Sequence, residues 1–367
     1  GSDEQFNPTW SAGAVWHVSE ETFMEVVRPV LSRLSLRVAT GYTGNINKTV
    51  KPNLMMKYYK NFRISDDENY RMGYINNAPN PKLRWEKTRD VKVALDFGLW
   101  KDRINGIVEA YWRKSKDCVT SEYVPVTTGF FNQSYNTSVL QNNGVEFSLS
   151  VAVLKSKDYN LSVSANVAWN QNKLKKYNSP NTSLALDKYV GYPMGAVFSG
   201  KYEGIDPETG MYKFKLRPDA VTNKDGYLRE PNNYYYYLGT SVAPFTGGFN
   251  LNFSYKNIGL SVGGSYSVKA KMVDNIESPA GYELLSGSKL ESIPTPHNDL
   301  YRNHLNVKRE VRNRWTPENR TGVKYPRLID AYGKKLGLDL TNPTLTTITR
   351  GALLEDISYL RINTIAL

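Results

Sequence analysis

The stretch Tyr159-Asn160-Leu161-Ser162-Val163-Ser164-Ala165-Asn166-Val167-Ala168-Trp169 alternates without a break. Tyr159, Leu161, Val163, Ala165, Val167 and Trp169 fall on one face of an extended chain, and Asn160, Ser162, Ser164, Asn166 and Ala168 on the other. One face is apolar with an aromatic at each end; the other is small, polar and uncharged. Soluble strands average about 5–6 residues, and this one needs about eleven. Ten steps of roughly 3.3 Å, tilted near 45°, stand about 24 Å tall, which matches the roughly 25 Å apolar band of an outer-membrane barrel with its aromatic girdles. The strand has the length of a membrane crossing.

The same alternation recurs. Val145, Phe147, Leu149, Val151 and Val153 precede it across a short turn at 154–158. Phe249, Leu251, Phe253 and Tyr255 lead through Lys256-Asn257 into Ile258, Leu260, Val262, Gly264, Tyr266 and Val268. A third hairpin pairs Val91, Val93, Leu95, Phe97 and Leu99 with Ile104, Gly106, Val108, Ala110 and Trp112, turning at 100–103. Leu34, Leu36, Val38 and Tyr42 repeat the pattern once more. Antiparallel hairpins account for all of it. The expected strands number roughly ten to twelve, near 10–18, 34–42, 54–64, 70–75, 87–99, 104–116, 144–153, 159–170, 247–255, 258–268 and 353–366. Tight connections at 100–103, 154–158 and 256–257 alternate with long polar ones at 115–142, 170–246 and 269–351. Every tight turn therefore falls at one end, as periplasmic turns do against extracellular loops in bacterial barrels.

Composition sets bounds. The chain has 367 residues, 40% of them hydrophobic, and no run of about 18 apolar residues that a spanning helix would need. A transmembrane barrel passes that test unseen, because its inner face and loops are polar; a soluble β-sandwich that binds glycans is the rival all-β reading. The net charge of +12 is scattered over turns and loops rather than laid along one element with stacking aromatics, which argues against nucleic acid and for anionic headgroups at the rims. One cysteine, Cys118, excludes an intrachain disulfide, and His17, His297 and His304 lack partners at metal-ligand spacing. No catalytic triad, phosphate loop or dinucleotide fingerprint is present, so transport or binding is expected rather than enzymatic chemistry, with no cofactor. Gly1-Ser2-Asp3-Glu4 carries no basic and apolar export region, so the expectation is a mature piece or a fragment.

Two loop motifs invite functional readings. Asp206 and Glu208, beside Gly204 and Gly210, could ligate a cation, but Asp-Pro-Glu-Thr-Gly is also a ready β-turn. Tyr234-Tyr235-Tyr236-Tyr237 could meet a ligand or partner through stacked rings, or serve as loop packing.

Ten phrases resemble the SusC/RagA family of TonB-linked outer-membrane transporters. They are Asn80-Pro81-Lys82-Leu83-Arg84-Trp85-Glu86-Lys87-Thr88, then Leu95-Asp96-Phe97-Gly98, Tyr111-Trp112-Arg113-Lys114-Ser115-Lys116-Asp117 and Asn142-Asn143-Gly144-Val145-Glu146. Gly191-Tyr192-Pro193-Met194-Gly195 follows, with Gly204-Ile205-Asp206-Pro207-Glu208-Thr209-Gly210 and Ala243-Pro244-Phe245-Thr246-Gly247-Gly248-Phe249. Asn313-Arg314-Trp315-Thr316, Tyr325-Pro326-Arg327-Leu328 and Ser358-Tyr359-Leu360-Arg361 complete them, in the family's order. The resemblance implies an all-β antiparallel barrel in the bacterial outer membrane, with residues 1–367 a partial barrel domain lacking the plug, the first strands and the closing strands. It implies import of oligosaccharide or peptide, a SusD-like surface lipoprotein as partner, and coupling to the TonB complex through the plug. Ser162, Ser164, Asn166, Asn250, Asn252 and Ser265 would then face the lumen. A passive porin or adhesin barrel is the remaining alternative.

Overall fold

The computed structural model describes residues 6–46, 50, 52–65, 68–130, 132–177, 189–208, 210, 212–220, 233–273, 309–326 and 350–367. His297, His304, most of the connection 269–351 and parts of the connection 170–246 lie outside them. Among the described residues there are fifteen strands: β1 Trp10–Trp16, β2 Leu31–Asn45, β3 Met55–Ser65, β4 Glu68–Asn77, β5 Glu86–Leu99, β6 Ile104–Tyr123, β7 Asn132–Lys155, β8 Tyr159–Tyr177, β9 Ala196–Gly200, β10 Tyr202–Ile205, β11 Tyr212–Phe214, β12 Tyr235–Thr240, β13 Phe245–Tyr255, β14 Ile258–Val273 and β15 Leu354–Ala366. Nine of them form one sheet in the order β1-β2-β5-β6-β7-β8-β13-β14-β15, with β1 and β15 at its open edges.

The chain falls into two compact units. The first holds Gly1–Met194, Pro244–Val268 and Tyr359–Leu367 and carries the sheet; the second holds Gly195–Ala243 and Lys269–Ser358 and carries the ribbons β9/β12 and β10/β11.

Within the sheet the register is unbroken where the alternation is clearest. β13 pairs at every position from Phe245 to Tyr255, with β8 on one side and β14 on the other. One cross-strand row reads Leu36, Leu95, Val108, Phe147, Val167, Gly247, Tyr266; the neighbouring row reads Ser35, Asp96, Ile107, Ser148, Asn166, Gly248, Ser265. The two rows project to opposite faces. Among the described residues the apolar face stands exposed: Val38 and Val145 are each 42% exposed, Trp112 49% and Phe253 38%. Apolar area left in water forfeits about 25 cal/mol per Å², and an exposed belt this continuous is a surface for lipid. Trp10 and Tyr42 pack ring to ring at its upper border, centroids 5.6 Å apart, while Tyr159 and Tyr255 lie opposite each other at the lower.

Tight turns at 100–103, 156–158 and 256–257 all lie at that lower end. Trp100, Lys101 and Asp102 adopt φ of 50°, 56° and 59°, three left-handed residues in a row without a glycine. Ser32 holds them, donating to Asp102 Oδ1 at 3.2 Å while its hydroxyl accepts the Asp102 N–H at 3.1 Å. The β1–β2 connection, at the same end, is longer and contains two 3₁₀ turns, Val18–Glu20 and Thr22–Val27.

Two expectations are corrected. Residues 115–142 are not a long loop: β6 and β7 stay paired up to Tyr123 and Asn132, leaving 124–131 as the turn. A bulge at Asp117 (φ 57°) and Cys118 breaks the alternation while the pairing continues, which hides the strand from a period-two reading. Likewise β8 runs on to Tyr177. The strands expected near 54–64 and 70–75 exist as β3 and β4, but they pair with each other as a separate ribbon, and β2 joins β5 directly.

The raised β6–β7 hairpin is braced by the segment 79–86. Asn80, buried, donates from its amide to Ser134 O at 2.8 Å and accepts the Lys82 N–H at 3.1 Å. Asn136 accepts the Arg84 N–H at 3.0 Å and donates to Arg84 O at 2.9 Å and Asp117 O at 2.6 Å, while the Arg84 guanidinium meets Asp117 Oδ1 at 2.6 Å. Glu86 accepts the Val119 N–H at 2.9 Å and the Asn45 amide at 2.7 Å. The side chain of Asn136 thus acts as a short stretch of strand backbone.

Glycines on the apolar face seat rings from the next strand: Phe97 over Gly106, Phe249 over Gly264 and Tyr266 over Gly247. Gly106→Val should displace Phe97 and destabilise by about 1–3 kcal/mol, and Phe97→Ala in the same chain should recover part of that, read as a nonzero coupling in a double-mutant cycle. Asn136→Ala should lower stability by about 1–3 kcal/mol through stranded backbone groups, and hydrogen exchange should quicken at Arg84 and at 117–123 before it changes at 159–169.

Candidate functional site

The polar face of the nine-stranded sheet is the candidate site. Ser162, Ser164, Asn166, Asn250, Asn252 and Ser265 all project to it, set by strand parity and by the pairings Asn166↔Gly248, Ser164↔Asn250, Ser162↔Asn252 and Gly248↔Ser265. Asn166 Oδ1 accepts the Gly248 N–H at 2.7 Å, Ser261 donates to Asn252 Oδ1 at 2.8 Å, and the Asn363 amide donates to Ser265 Oγ at 3.0 Å. Ser164, Asn166 and Asn250 line a shallow concavity of about 220 Å³ with Arg33, Asn105, Ser148 and Ser150. These groups offer hydroxyl and amide donors and acceptors beside the Arg33 guanidinium, with no carboxylate, a lining suited to polar solutes.

The face has a second half. On β2, β5 and β6 it carries three ion pairs: Arg37–Asp96 at 2.6 Å, Lys92–Glu109 at 3.1 Å and Arg113–Asp90 at 2.8 Å. Arg113 grips Asp90 Oδ2 with both Nε and Nη2, leaving the other oxygen buried without a hydrogen bond. Glu109 faces Glu146 directly on the next strand. Single exposed pairs contribute roughly 0–1 kcal/mol; a laddered set fixes register as well as charge. The sequence reading passed over these residues, although Arg37, Asp96, Glu109 and Arg113 all occupy the polar half of their alternations.

In the second unit the two loop motifs are built into structure. Asp206 Oδ1 accepts the Glu208 N–H at 2.8 Å, Asp206 O accepts the Gly210 N–H at 2.8 Å, and Gly210 sits at φ 71°. Asp206 is thereby committed to the turn, and among the described residues no group of three or more His, Cys, Asp or Glu could hold a metal ion. Buried Trp315 reaches the same turn, its indole donating to Pro207 O at 3.0 Å. Of the four tyrosines, Tyr234 precedes β12 and Tyr235, Tyr236 and Tyr237 open it. Tyr236 donates to Leu216 O at 3.0 Å, and Tyr237 packs on Phe198 with centroids 5.7 Å apart. Tyr202 meets Tyr212 edge-on at 5.7 Å, and burial raises its hydroxyl above the usual tyrosine range. Hydrogen bonds from Arg217 hold the exposed Asp219 carboxyl below the ordinary carboxylate value.

Comparison with known proteins agrees with this arrangement. The family described as "TonB dependent receptor-like, beta-barrel" matches residues 1–288. TonB-dependent receptor SusC of Bacteroides thetaiotaomicron is 35% identical over 182 residues, 48% of this chain and 17% of that protein. TonB-dependent receptor P26 of Formosa agariphila is 25% identical over 384 residues, 97% of this chain and 34% of its own length. The solved structure of the RagAB peptide transporter superposes with a TM-score of 0.72 at 24% identity, covering 100% of this chain and 37% of that one. The chain thus spans about a sixth to a little over a third of the length of these relatives. With a matching family over most of its length, a lipid-facing belt and a polar inner lining, the chain belongs to the TonB dependent receptor-like β-barrel family, in its SusC/RagA branch, and is an outer-membrane protein.

Proposed function

We propose that β1, β2, β5–β8 and β13–β15 are wall strands of a TonB-dependent importer for oligosaccharide or peptide, which works with a SusD-like surface lipoprotein. The observation that carries the reading is the two-faced sheet: an exposed apolar belt on one side, and on the other a polar lining of ion pairs and of Ser and Asn side chains. The remaining wall and the plug would come from other parts of the full receptor, and the plug would connect to TonB. Ser162, Ser164, Asn166, Asn250, Asn252 and Ser265 would border the solute path. Tyr234, Tyr235, Tyr236 and Tyr237 would belong to the outer region that meets substrate or lipoprotein, with Tyr237 offering the more exposed ring.

Face assignment is tested by charge insertion in the full-length receptor. Val163→Arg or Phe253→Arg should destabilise by about 2–4 kcal/mol near the bilayer midplane, whereas Ser164→Arg and Asn252→Arg should fold nearly as the parent does; equal losses in both pairs would overturn the assignment.

Sidedness and mechanism need separate measurements. With Cys118 replaced by Ser, Thr127→Cys should react with an impermeant maleimide on intact cells, and Lys157→Cys and Asn257→Cys only after permeabilisation. Cells bearing the receptor should accumulate labelled oligosaccharide or peptide from a mixed pool, and deletion of TonB should reduce accumulation to background. Uptake that continues downhill without TonB would make the protein a passive pore.

A further inference from the structure

Above the lipid belt the apolar face turns abruptly basic. On the level of Trp112 the outward positions are Thr40, Val91, Trp112, Asn143 and Gln171; one level higher they are Tyr42, Arg89, Lys114, Gln141 and Lys173. The next level adds Lys87 and Lys116. Arg89 lies directly opposite Lys114, and Lys87 directly opposite Lys116. Partners in register stand about 5 Å apart at Cβ, and successive outward positions about 7 Å apart along the strand. The Cβ atoms of the four residues therefore stand at the corners of a near-square of roughly 5 by 7 Å, and all four side chains are exposed.

Like charges directly opposite each other weaken a strand pair, and here two such pairs are stacked. The nearby acids give no relief. Glu86 projects to the other face and is occupied by Val119 and Asn45, and Asp117 is taken by Arg84. Among the described residues none of the four cations enters an ion pair or a side-chain hydrogen bond, and no outward position on these levels is acidic. The square begins one step above Trp112, at the end of the belt opposite the tight turns. That is the level of headgroups in the outer leaflet. The ladder of β5 and β6 is unbroken through this region, from Lys87↔Lys116 down to Leu99↔Ile104, so the square is held at a fixed height above the belt.

We propose that Lys87, Arg89, Lys114 and Lys116 form a binding site for the phosphate of an anionic glycolipid in the outer leaflet. Its acyl chains would run down the belt past Trp112 and Val91, and its phosphate would bridge the two like-charged pairs. Continuity with the lipid belt selects a membrane lipid over a soluble anion. The inference rests on the sidedness of the wall proposed above.

The test uses the full-length receptor in neutral detergent, titrated with phosphorylated lipid A, with the same lipid A after dephosphorylation, and with inorganic phosphate. Bound lipid is counted by native mass spectrometry. Each cation beside an anionic surface is worth a factor of about five in affinity, so K87Q/R89Q/K114Q/K116Q, which removes four, should bind phosphorylated lipid A roughly several hundredfold more weakly. Dephosphorylated lipid A should not distinguish the variant from the parent. K114E/K116E, which turns both like pairs into opposite pairs, should unfold at or above the parent's temperature in detergent alone and still lose the lipid. Equal retention by parent and variants, or equal retention of the dephosphorylated lipid, overturns the proposal. So does an equal rise in unfolding temperature from inorganic phosphate alone. Lys116→Cys, in the Cys118→Ser background, separates the two readings. Labelling only after permeabilisation would sink the sidedness, whereas surface labelling without lipid selectivity would sink the phosphate site alone.

Discussion

Lipid offers nothing to hydrogen-bond, and every feature of the sheet follows from that. A peptide group left unpaired in hydrocarbon costs several kcal/mol, so strands can cross only when each is paired on both sides. β13 meets that condition over its whole length, with eleven residues in register against β8 and the same eleven against β14. Pairing fixes parity, parity fixes which side chains meet lipid, and the sequence needs only to place an apolar residue at every second position. Conventional cores are correspondingly small. Val18, Leu83, Cys118 and Leu174 are buried at the ends of the strands or beyond them, not among the alternating residues of the crossing band.

The opposite face answers a different demand. Strands β8, β13 and β14 present hydroxyls, amides and glycine, which bond to each other and to adjacent backbone and leave a neutral wall. Strands β2, β5 and β6 present acids and bases that neutralise one another, Arg37–Asp96 and Lys92–Glu109 along diagonals of the ladder and Arg113–Asp90 directly across it. The first wall keeps small uncharged donors and acceptors, whereas most of the charges on the second are engaged with one another.

How much of this was legible depends on how strictly the alternation was kept. From Tyr159 to Trp169, and in the hairpins at 91–112 and 249–268, two-residue periodicity gave strand, face and turn together, since nothing but side-chain direction is involved. The upper part of the hairpin β6–β7 was invisible because the bulge at Asp117 and Cys118 resets parity, and because its stability comes from Asn80, Arg84 and Asn136 acting across distant sequence. β3 and β4 could be recognised as strands, but their separation from the main sheet is decided by β2 pairing with β5, a long-range choice without a local mark. The Ser and Asn of the polar face could be named because their strands are regular. The ion pairs could not be drawn, since they depend on which strands become neighbours.

Irregular pairing is absent from the middle of the ladder. The slips in register occur at Leu31/Arg33 and Ala152/Leu154 near the lower turns, and from Ser115 and Val139 upward at the other end. A residue inserted between Tyr159 and Trp169 would invert every side chain beyond it, sending Val and Trp to the polar face and Ser and Asn to the apolar one. A residue inserted near Asp117 or Val139 would only add to a kink already tolerated there. Lineages descended from this chain can therefore lengthen, shorten and diversify what stands above the membrane, but the height of the crossing itself is inherited almost without freedom.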